Sequence, residues 1–491
     1  MNQDDEDVSD LEGRRLCYEC IGEAYLKDEV KTTGELGECS HCGDSRESVS
    51  LKELAERIHP VFEEHFYVTS SEPGIYESMM MRDPEGAYEW EREGSQTQYA
   101  IAEAAGIDEE AAEHVRRILE EQHCDRDAVM AGEESPYDAE SFYEEKGPQD
   151  DELRAAWSYF EKSLKTESRL FNRGAESVLT RMFEDLSQHK TRDGNAIIVD
   201  AGPGHPISAL FRGRVFHPAD HEKLQTALQR PDIELGPPPP HAAMPGRMNS
   251  RGISVFYGST EAQTALAEVR PPVGSVVAVA RFDITRPVRL LDVEAFRAIF
   301  VTGSIFDNTY MKRLEKARFL KGLSDRITVP VMPGDELSDY LVTQAIADYL
   351  ANLDNPALDG LIYSSVQDGP GVNVALFQKS SRVAELDLPQ KTRIWASLGT
   401  TTDEGHEIDY RVWEEVPPQG EEKKPKDAEW SFDVDLFTHP YDPNADTRQA
   451  TLRLDTQNVA VHHVGRARYE STGYEVSRHR MERSGQEEND F

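Results

Sequence analysis

Two sets of residues in this 491-residue chain have the types and spacing for chemistry. The first is Cys17-Tyr18-Glu19-Cys20, followed after eighteen residues by Cys39-Ser40-His41-Cys42-Gly43. Two CxxC knuckles at that separation let four thiolates converge on one tetrahedral zinc ion, and Gly43 relaxes the turn behind the second. Four sulfurs close the coordination sphere, so Cys17, Cys20, Cys39 and Cys42 predict a structural site with no catalytic role. A redox CxxC usually stands alone beside a βαβ pattern. Cys124, the fifth cysteine, is an ordinary residue in a helical stretch.

The second set lies past residue 206, where polar side chains interrupt structural segments. These are Phe211-Arg212-Gly213-Arg214-Val215, Gly246-Arg247-Met248-Asn249, Ala265-Leu266-Ala267-Glu268-Val269-Arg270-Pro271, and Tyr363-Ser364-Ser365-Val366 with Gly369, Gly371 and Asn373. Each alone has a plain reading: a salt-bridged strand arginine, a solvated helix-end glutamate, a turn serine. In series they form an arginine, glutamate and serine constellation.

The elements that must position these residues are legible from periodicity. Leu51, Leu54, Ile58, Val61 and Phe62 repeat at three and four, which predicts a helix. Helices are also predicted over 97–106, ended by Gly106, and over 108–122, capped by Asp108. A longer helix carries Leu153, Trp157, Phe160 and Leu164, and another stripe runs through Phe171, Ala175, Val178, Met182 and Leu186. Arg181 and His189 lie on that last helix, with a spacing longer than arginine–histidine nuclease motifs use. Past a Gly- and Pro-rich boundary at 192–206 the pattern changes to short β-branched runs at 253–257, 276–282, 288–291, 360–363 and 372–377, with a helix at 337–353. Mixed strands and helices predict a compact α/β or α+β domain of catalytic size. The linker at 414–427 reads as exposed and mobile. After it Trp430, Phe432, Val459, Val461 and Val464 either add strands to the main domain or fold loosely, and the last dozen residues read as disordered.

Composition bounds the function. Apolar residues make up 38% of the chain, enough for a core, and charged residues 30%. The net charge, 53 − 92 = −39, repels phosphate backbones and excludes general nucleic-acid coating. The N-terminus is acidic where a signal peptide is basic, and there is no apolar run of membrane-spanning length. Together with so few cysteines, this predicts a soluble, cytoplasmic protein.

Taken in series, the second set resembles the RES family, named for its arginine, glutamate and serine. The run Gly246-Arg247-Met248-Asn249-Ser250-Arg251-Gly252-Ile253 leads through Phe256-Tyr257 to the Glu268 segment, and Asp359-Gly360-Leu361-Ile362-Tyr363-Ser364-Ser365 with Asn373 completes the match. The resemblance spans residues 209–385. It implies an ADP-ribosyltransferase-like fold and an enzyme that cleaves the nicotinamide bond of NAD, by water to ADP-ribose or by phosphate to ADP-ribose 1″-phosphate. RES proteins are typically toxins of bacterial toxin–antitoxin pairs, so an antitoxin or other regulatory protein is an implied partner. The resemblance makes Arg247, Glu268 and Ser365 the catalytic candidates. It implies substrate contacts from Arg212 or Arg214 in the early arginine role, from Tyr257 by stacking or a ribose hydrogen bond, and from Asn373 as a brace.

The residue types suit that chemistry. The ribose gains oxocarbenium character as nicotinamide leaves, and an aligned carboxylate stabilises it. Guanidinium forks pair with a pyrophosphate or an attacking phosphate. The region before the boundary resembles the HEPN-like N-terminal domain that accompanies some RES proteins. The predicted organisation is an acidic tail at 1–16, a zinc-binding module at 17–50, a helical HEPN-like domain at 51–192, a RES catalytic domain at 206–400, and a linker and extension at 401–491. Two other readings stay open: transfer of ADP-ribose to a macromolecule, and a non-catalytic zinc-containing regulatory protein.

Overall fold

The chain forms two packed units in the computed structural model, Met1–Val199 with Leu291–Leu358, and Asp200–Leu290 with Asp359–Phe491; the first, expected to be helical over 51–192, also carries a small sheet of Phe66–Val68, Phe142–Glu145 and Ser95–Gln96. The structure describes residues 7–82, 88–124, 130, 134–147, 149–169, 171–328, 336–402, 405–417, 446–468 and 471–480. Residues 1–6 of the acidic tail, 418–427 of the linker, Trp430, Phe432 and residues 481–491 lie outside the described residues. No helix among the described residues is long and apolar enough to cross a membrane.

In the first unit, helix Leu51–His65 starts at a reciprocal cap in which Ser50 and Glu53 satisfy each other's backbone donors,. Its predicted stripe, Leu51 to Phe62, is buried. Helix Thr97–Ala105 ends on Gly106 at φ +62°. A Cβ there would come within 2.6 Å of the Glu23 nitrogen, so glycine is required for contact as well as conformation,. Asp108 caps helix Glu109–His123 by accepting from the Ala111 N–H at 2.7 Å. The knuckle cysteines Cys17 and Cys39 share one buried cluster with Ile58, Ile101, Ile118 and Leu119. The expected acidic tail is folded from Val8: helix Val8–Glu12 buries Leu11 in that cluster.

Helix Asp151–Thr166 buries Leu153, Trp157, Phe160 and Leu164 as expected. The next stripe differs from expectation. Ala175, Met182 and Leu186 are buried as expected, but Asn172 caps helix Arg173–Phe183, so Phe171 falls outside it and is 94% exposed, and Leu179 and Phe183 join the buried positions. His189 also lies off this helix, after a 3-10 turn at Leu186–Gln188. Helices Tyr310–Thr328 and Glu336–Ala351 group with this unit, although the expected catalytic segment at 206–400 would include them. Phe319 packs 5.9 Å from Trp157, Tyr349 lies 6.1 Å from Phe183, and the Tyr349 hydroxyl donates to Thr180 Oγ1 at 3.1 Å.

The second unit is built on a sheet. Its strands run in the order Val383–Ala384, Leu452–His463, Val276–Ile284, Ala209–Phe216, Phe256–Ser259, Val372–Leu376 and Gly360–Ser364. Two further strands, Val288–Asp292 and Ile198–Ala201, carry the chain through the unit boundaries. Val276–Ile284 is buried along most of its length, which is why it reads as a nearly continuous apolar run. Of the two outcomes open for the C-terminal region, strand addition is the one found: Leu452–His463 pairs antiparallel with Val276–Ile284, with a register shift between Ala280 and Arg281. A hairpin, Arg393–Thr402 with Gly405–Glu415, occupies sequence expected in part to be linker.

Asp359 pins the start of strand Gly360–Ser364. Its Oδ1 accepts from Arg286 Nη2 at 3.1 Å and from the Ser380 hydroxyl, and its Oδ2 accepts from the Arg289 N–H at 3.0 Å. Burial opposes the carboxylate, yet these donors more than offset it and hold Asp359 below the ordinary carboxylate range. A group depressed in this way adds stability above its unfolded pKa of about 3.9, and loses that contribution as pH falls through the lower folded value. Asp359→Asn is expected to cost roughly 1–3 kcal/mol at pH 7 and to flatten the acid limb of the unfolding midpoint. An acid limb identical to wild type would contradict this assignment.

Candidate active site and metal centre

Glu268 is delivered by a short helix lying close on the sheet. Ala262–Glu268 packs Ala262, Ala265 and Leu266 against Phe211, Val215, Val277 and Val279. Small residues set the approach distance: a Cβ on Gly213 would sit 3.1 Å from the Ala265 carbonyl oxygen. From the other side comes the loop after strand Gly360–Ser364. Gly371 closes it against the helix, where a Cβ would come 2.5 Å from Thr264 Cγ2. Thr264 Oγ1 donates to Asp368 at 2.7 Å and fastens the loop there.

Three of the candidates meet directly. Ser365 Oγ donates to Glu268 Oε1 at 2.5 Å, and Asn373 Nδ2 donates to the same oxygen at 2.7 Å. Both donors are themselves fixed. Ser365 Oγ accepts the N–H groups of Gln367 at 3.2 Å and Asp368 at 3.0 Å. Asn373 Oδ1 accepts from Ser259 Oγ at 2.6 Å. The hydroxyl of Ser365 is therefore engaged by both Glu268 and the loop. No hydrogen bond among the described residues reaches Glu268 Oε2, so the carboxylate has one clamped oxygen and one open one.

Sheet register sorts the remaining candidates by face. Antiparallel partners share a face, and Phe211 opposes Ser259, which opposes Asn373. Tyr257, two residues before Ser259, lies on this same face, the face covered by the Glu268 helix. Its hydroxyl donates to Asn249 Oδ1 at 2.7 Å and accepts from the Met248 N–H at 2.8 Å. It pins the tight turn Gly246–Asn249 that carries Arg247, and a Cβ on Gly246 would meet that hydroxyl at 2.9 Å. Buried Asn249 completes the turn by donating to the carbonyls of Met244, Ser250 and Ile253. Arg247 is thus placed by Tyr257, whose own hydroxyl is spent in the structure.

Arg212 and Arg214 alternate with Phe211 and fall on the opposite face. Arg212 stacks over Phe256 with its guanidinium carbon 5.3 Å from the ring centroid. Burial, with neighbouring Arg214 adding to it, brings its guanidinium down to about 10, so it stays charged at neutral pH. Arg214 donates to the Glu234 carboxylate at 2.7 Å. The structure does not bring either to the clamped glutamate. Residues that the motif reading left out are Ser259, Thr264, Gln367 and Asp368, and Asn249 of the Arg247 motif is given no role in it. Period-two spacing from Tyr257 would have pointed to Ser259, whereas nothing local marks the others.

The four knuckle sulfurs converge as expected. Their ligand atoms all lie within 4.8 Å of one another, with Sγ separations of 3.6 Å for Cys17–Cys20, 3.7 Å for Cys17–Cys42 and 3.8 Å for Cys20–Cys39. These are far too long for disulfides. They match the roughly 3.8 Å edge of a tetrahedron with about 2.3 Å metal–sulfur bonds, so the cluster could hold a metal ion. Burial opposes thiolate formation at Cys39, but the backbone N–H groups of Cys42, Cys17 and His41 outweigh it and hold that thiol down to about 6. His41 Nδ1 turns instead to Asp108, 2.6 Å away.

Tyr257→Phe keeps the ring and removes both hydrogen bonds to the Arg247 turn. It is expected to destabilise the second unit by about 1–2 kcal/mol and to increase hydrogen exchange at residues 246–249. Unchanged exchange there would show that the turn does not depend on Tyr257.

No curated protein matches this chain. Among solved structures, the crystal structure of the M. tuberculosis MbcT–MbcA toxin–antitoxin complex is matched over 43% of this chain and 84% of that chain, at 12% identity and a TM-score of 0.20. A score that low supports nothing further. The family model for the RES domain matches residues 214–398. The frame that holds Glu268, Ser365 and Asn373 therefore lies within a RES domain.

Proposed function

We propose that the second unit breaks the bond between nicotinamide and ribose in NAD, with water or phosphate as acceptor. The observation that carries this reading is the carboxylate of Glu268, held through one oxygen by two neutral donors and open at the other. Neutral donors fix its direction without cancelling its charge. In the reaction the ribose C1′–nitrogen bond breaks, its electron pair leaves with the ring, and neutral nicotinamide departs without a general acid. Positive charge builds at C1′ and the ring oxygen, where an aligned carboxylate is worth most. An acceptor oxygen then bonds to C1′ and loses its proton, which Glu268 is placed to receive. Arg247, on the same side of the sheet as the clamp, supplies positive charge for the dinucleotide's phosphates. In this reading the second unit has an ADP-ribosyltransferase-like fold, the first a HEPN-like one, and an antitoxin-type protein restrains the activity in the cytoplasm.

The knuckles in this proposal hold zinc. Four cysteine ligands leave it no open position, so it stabilises the fold of the first unit and takes no part in the reaction. Purified chain is expected to contain about one zinc per molecule by elemental mass spectrometry, and a strong chelator is expected to lower the melting temperature of wild type but not of Cys39→Ser, which is already destabilised. A metal-free, chelator-insensitive wild type would contradict this.

The activity is tested by incubating the full chain with NAD, with and without phosphate, and weighing the products. Nicotinamide with ADP-ribose or its 1″-phosphate is expected. Intact NAD after prolonged incubation overturns the proposal, and ADP-ribose found only on a macromolecule replaces the acceptor.

A further inference from the structure

Arg270, two residues past Glu268, has an unusual setting in three respects. Its backbone is left-handed at φ +43°, a conformation that costs a non-glycine residue on the order of 1–3 kcal/mol. Its N–H closes the helix end on the Ala267 carbonyl at 3.0 Å. Its exposed side chain is tethered by a neutral group. The Gln367 carboxamide, turned so that its oxygen faces the guanidinium, accepts from Nε at 3.2 Å and Nη2 at 3.0 Å. Gln367 also gives its backbone N–H to Ser365 Oγ, so the guanidinium is fastened to the loop that clamps Glu268.

The third respect is charge. Acidic residues outnumber basic ones 92 to 53 in this chain, and carboxylates accordingly meet many other arginines of the second unit. Arg214 pairs with Glu234, Arg230 with Asp232, Arg281 with Asp283, Arg286 with Asp359 and Arg448 with Asp446. Arg270 forms no ion pair among the described residues. A neutral tether fixes the plane of the guanidinium, leaves its charge uncompensated and keeps the Nη1 side of the fork open. Holding an arginine so, with no ion-pair partner and in a strained backbone, is the arrangement expected of a site for an anion.

We infer that Arg270 pairs with the pyrophosphate of the dinucleotide while the nicotinamide–ribose bond lies at Glu268. This rests on the NAD reading and adds the group that receives the substrate's charge. A single ribose separates the reacting carbon from the first phosphate, and a two-residue step separates Glu268 from Arg270. With Arg212 and Arg214 on the far face, Arg270 takes the role expected of the early arginine.

The test is calorimetric binding of ADP-ribose to the full chain, alongside NAD cleavage. Arg270→Gln is expected to weaken ADP-ribose binding about tenfold or more, and Arg270→Lys to recover part of that loss. Gln367→Glu, which sets a carboxylate against an intact Arg270, is expected to weaken binding comparably; each variant is checked for an unchanged melting temperature. If Arg270→Gln and Gln367→Glu bind ADP-ribose as tightly as wild type, or if wild type does not bind it, the inference is overturned. Arg270-dependent binding by a chain that leaves NAD intact would retire the cleavage reading and keep this one. Cleavage of NAD with Arg270-independent binding would do the reverse.

Discussion

Two hydrogen bonds to one carboxylate oxygen organise the second unit. Glu268 Oε1 receives Ser365 and Asn373 from positions 97 and 105 residues further along the chain, so the pair exists only when the sheet, the helix and the Ser365 loop are all in place. The close approaches at Gly213 and Gly371 serve that meeting. So does the relay from Ser259 through Asn373, which fixes the amide orientation and hence which atom faces the glutamate. Cationic donors would have bound the same oxygen more tightly, but in the proposed reaction they would also have weakened its attraction for a developing oxocarbenium centre. The neutral clamp resolves that conflict.

Electrostatics give the arginines of this unit two different uses. Many of them are met by local carboxylates, and Arg214 and Arg286 are examples. Arg212 differs from both, its charge carried onto the sheet's far face and held against Phe256. Fields from a strongly acidic surface are screened within about 8 Å at physiological ionic strength. In the proposed reaction an anionic substrate therefore responds chiefly to guanidinium groups at the site itself, such as Arg247 and Arg270.

The sequence was most informative where chemistry is encoded in short spacing. The cysteine knuckles, the Asp108 helix start, the Gly106 stop and the main strands of the sheet could each be read from a handful of neighbouring residues. The Glu268–Ser365–Asn373 grouping came from ordered motifs, and the structure places those side chains in contact. What could not be read was set by long-range geometry. Which face Arg212 and Arg214 occupy depends on the pairing of Phe211 with Ser259, a register that no local pattern records. The grouping of residues 291–358 with the first unit depends on Phe319 and Tyr349 finding Trp157 and Phe183. Phe171 was misplaced because apolar periodicity ran past the Asn172 cap. Gln367 gained meaning only from its partners.

The central claim is that the clamped carboxylate does the work at the nicotinamide bond, and its charge can be removed with little change of shape. Nicotinamide release from NAD by Glu268→Gln, measured beside wild type at matched melting temperature, tests this most directly. The account predicts that release falls by at least about a hundredfold, as the loss of one preorganised charge would cause. Release at the wild-type rate by a folded Glu268→Gln chain would contradict it.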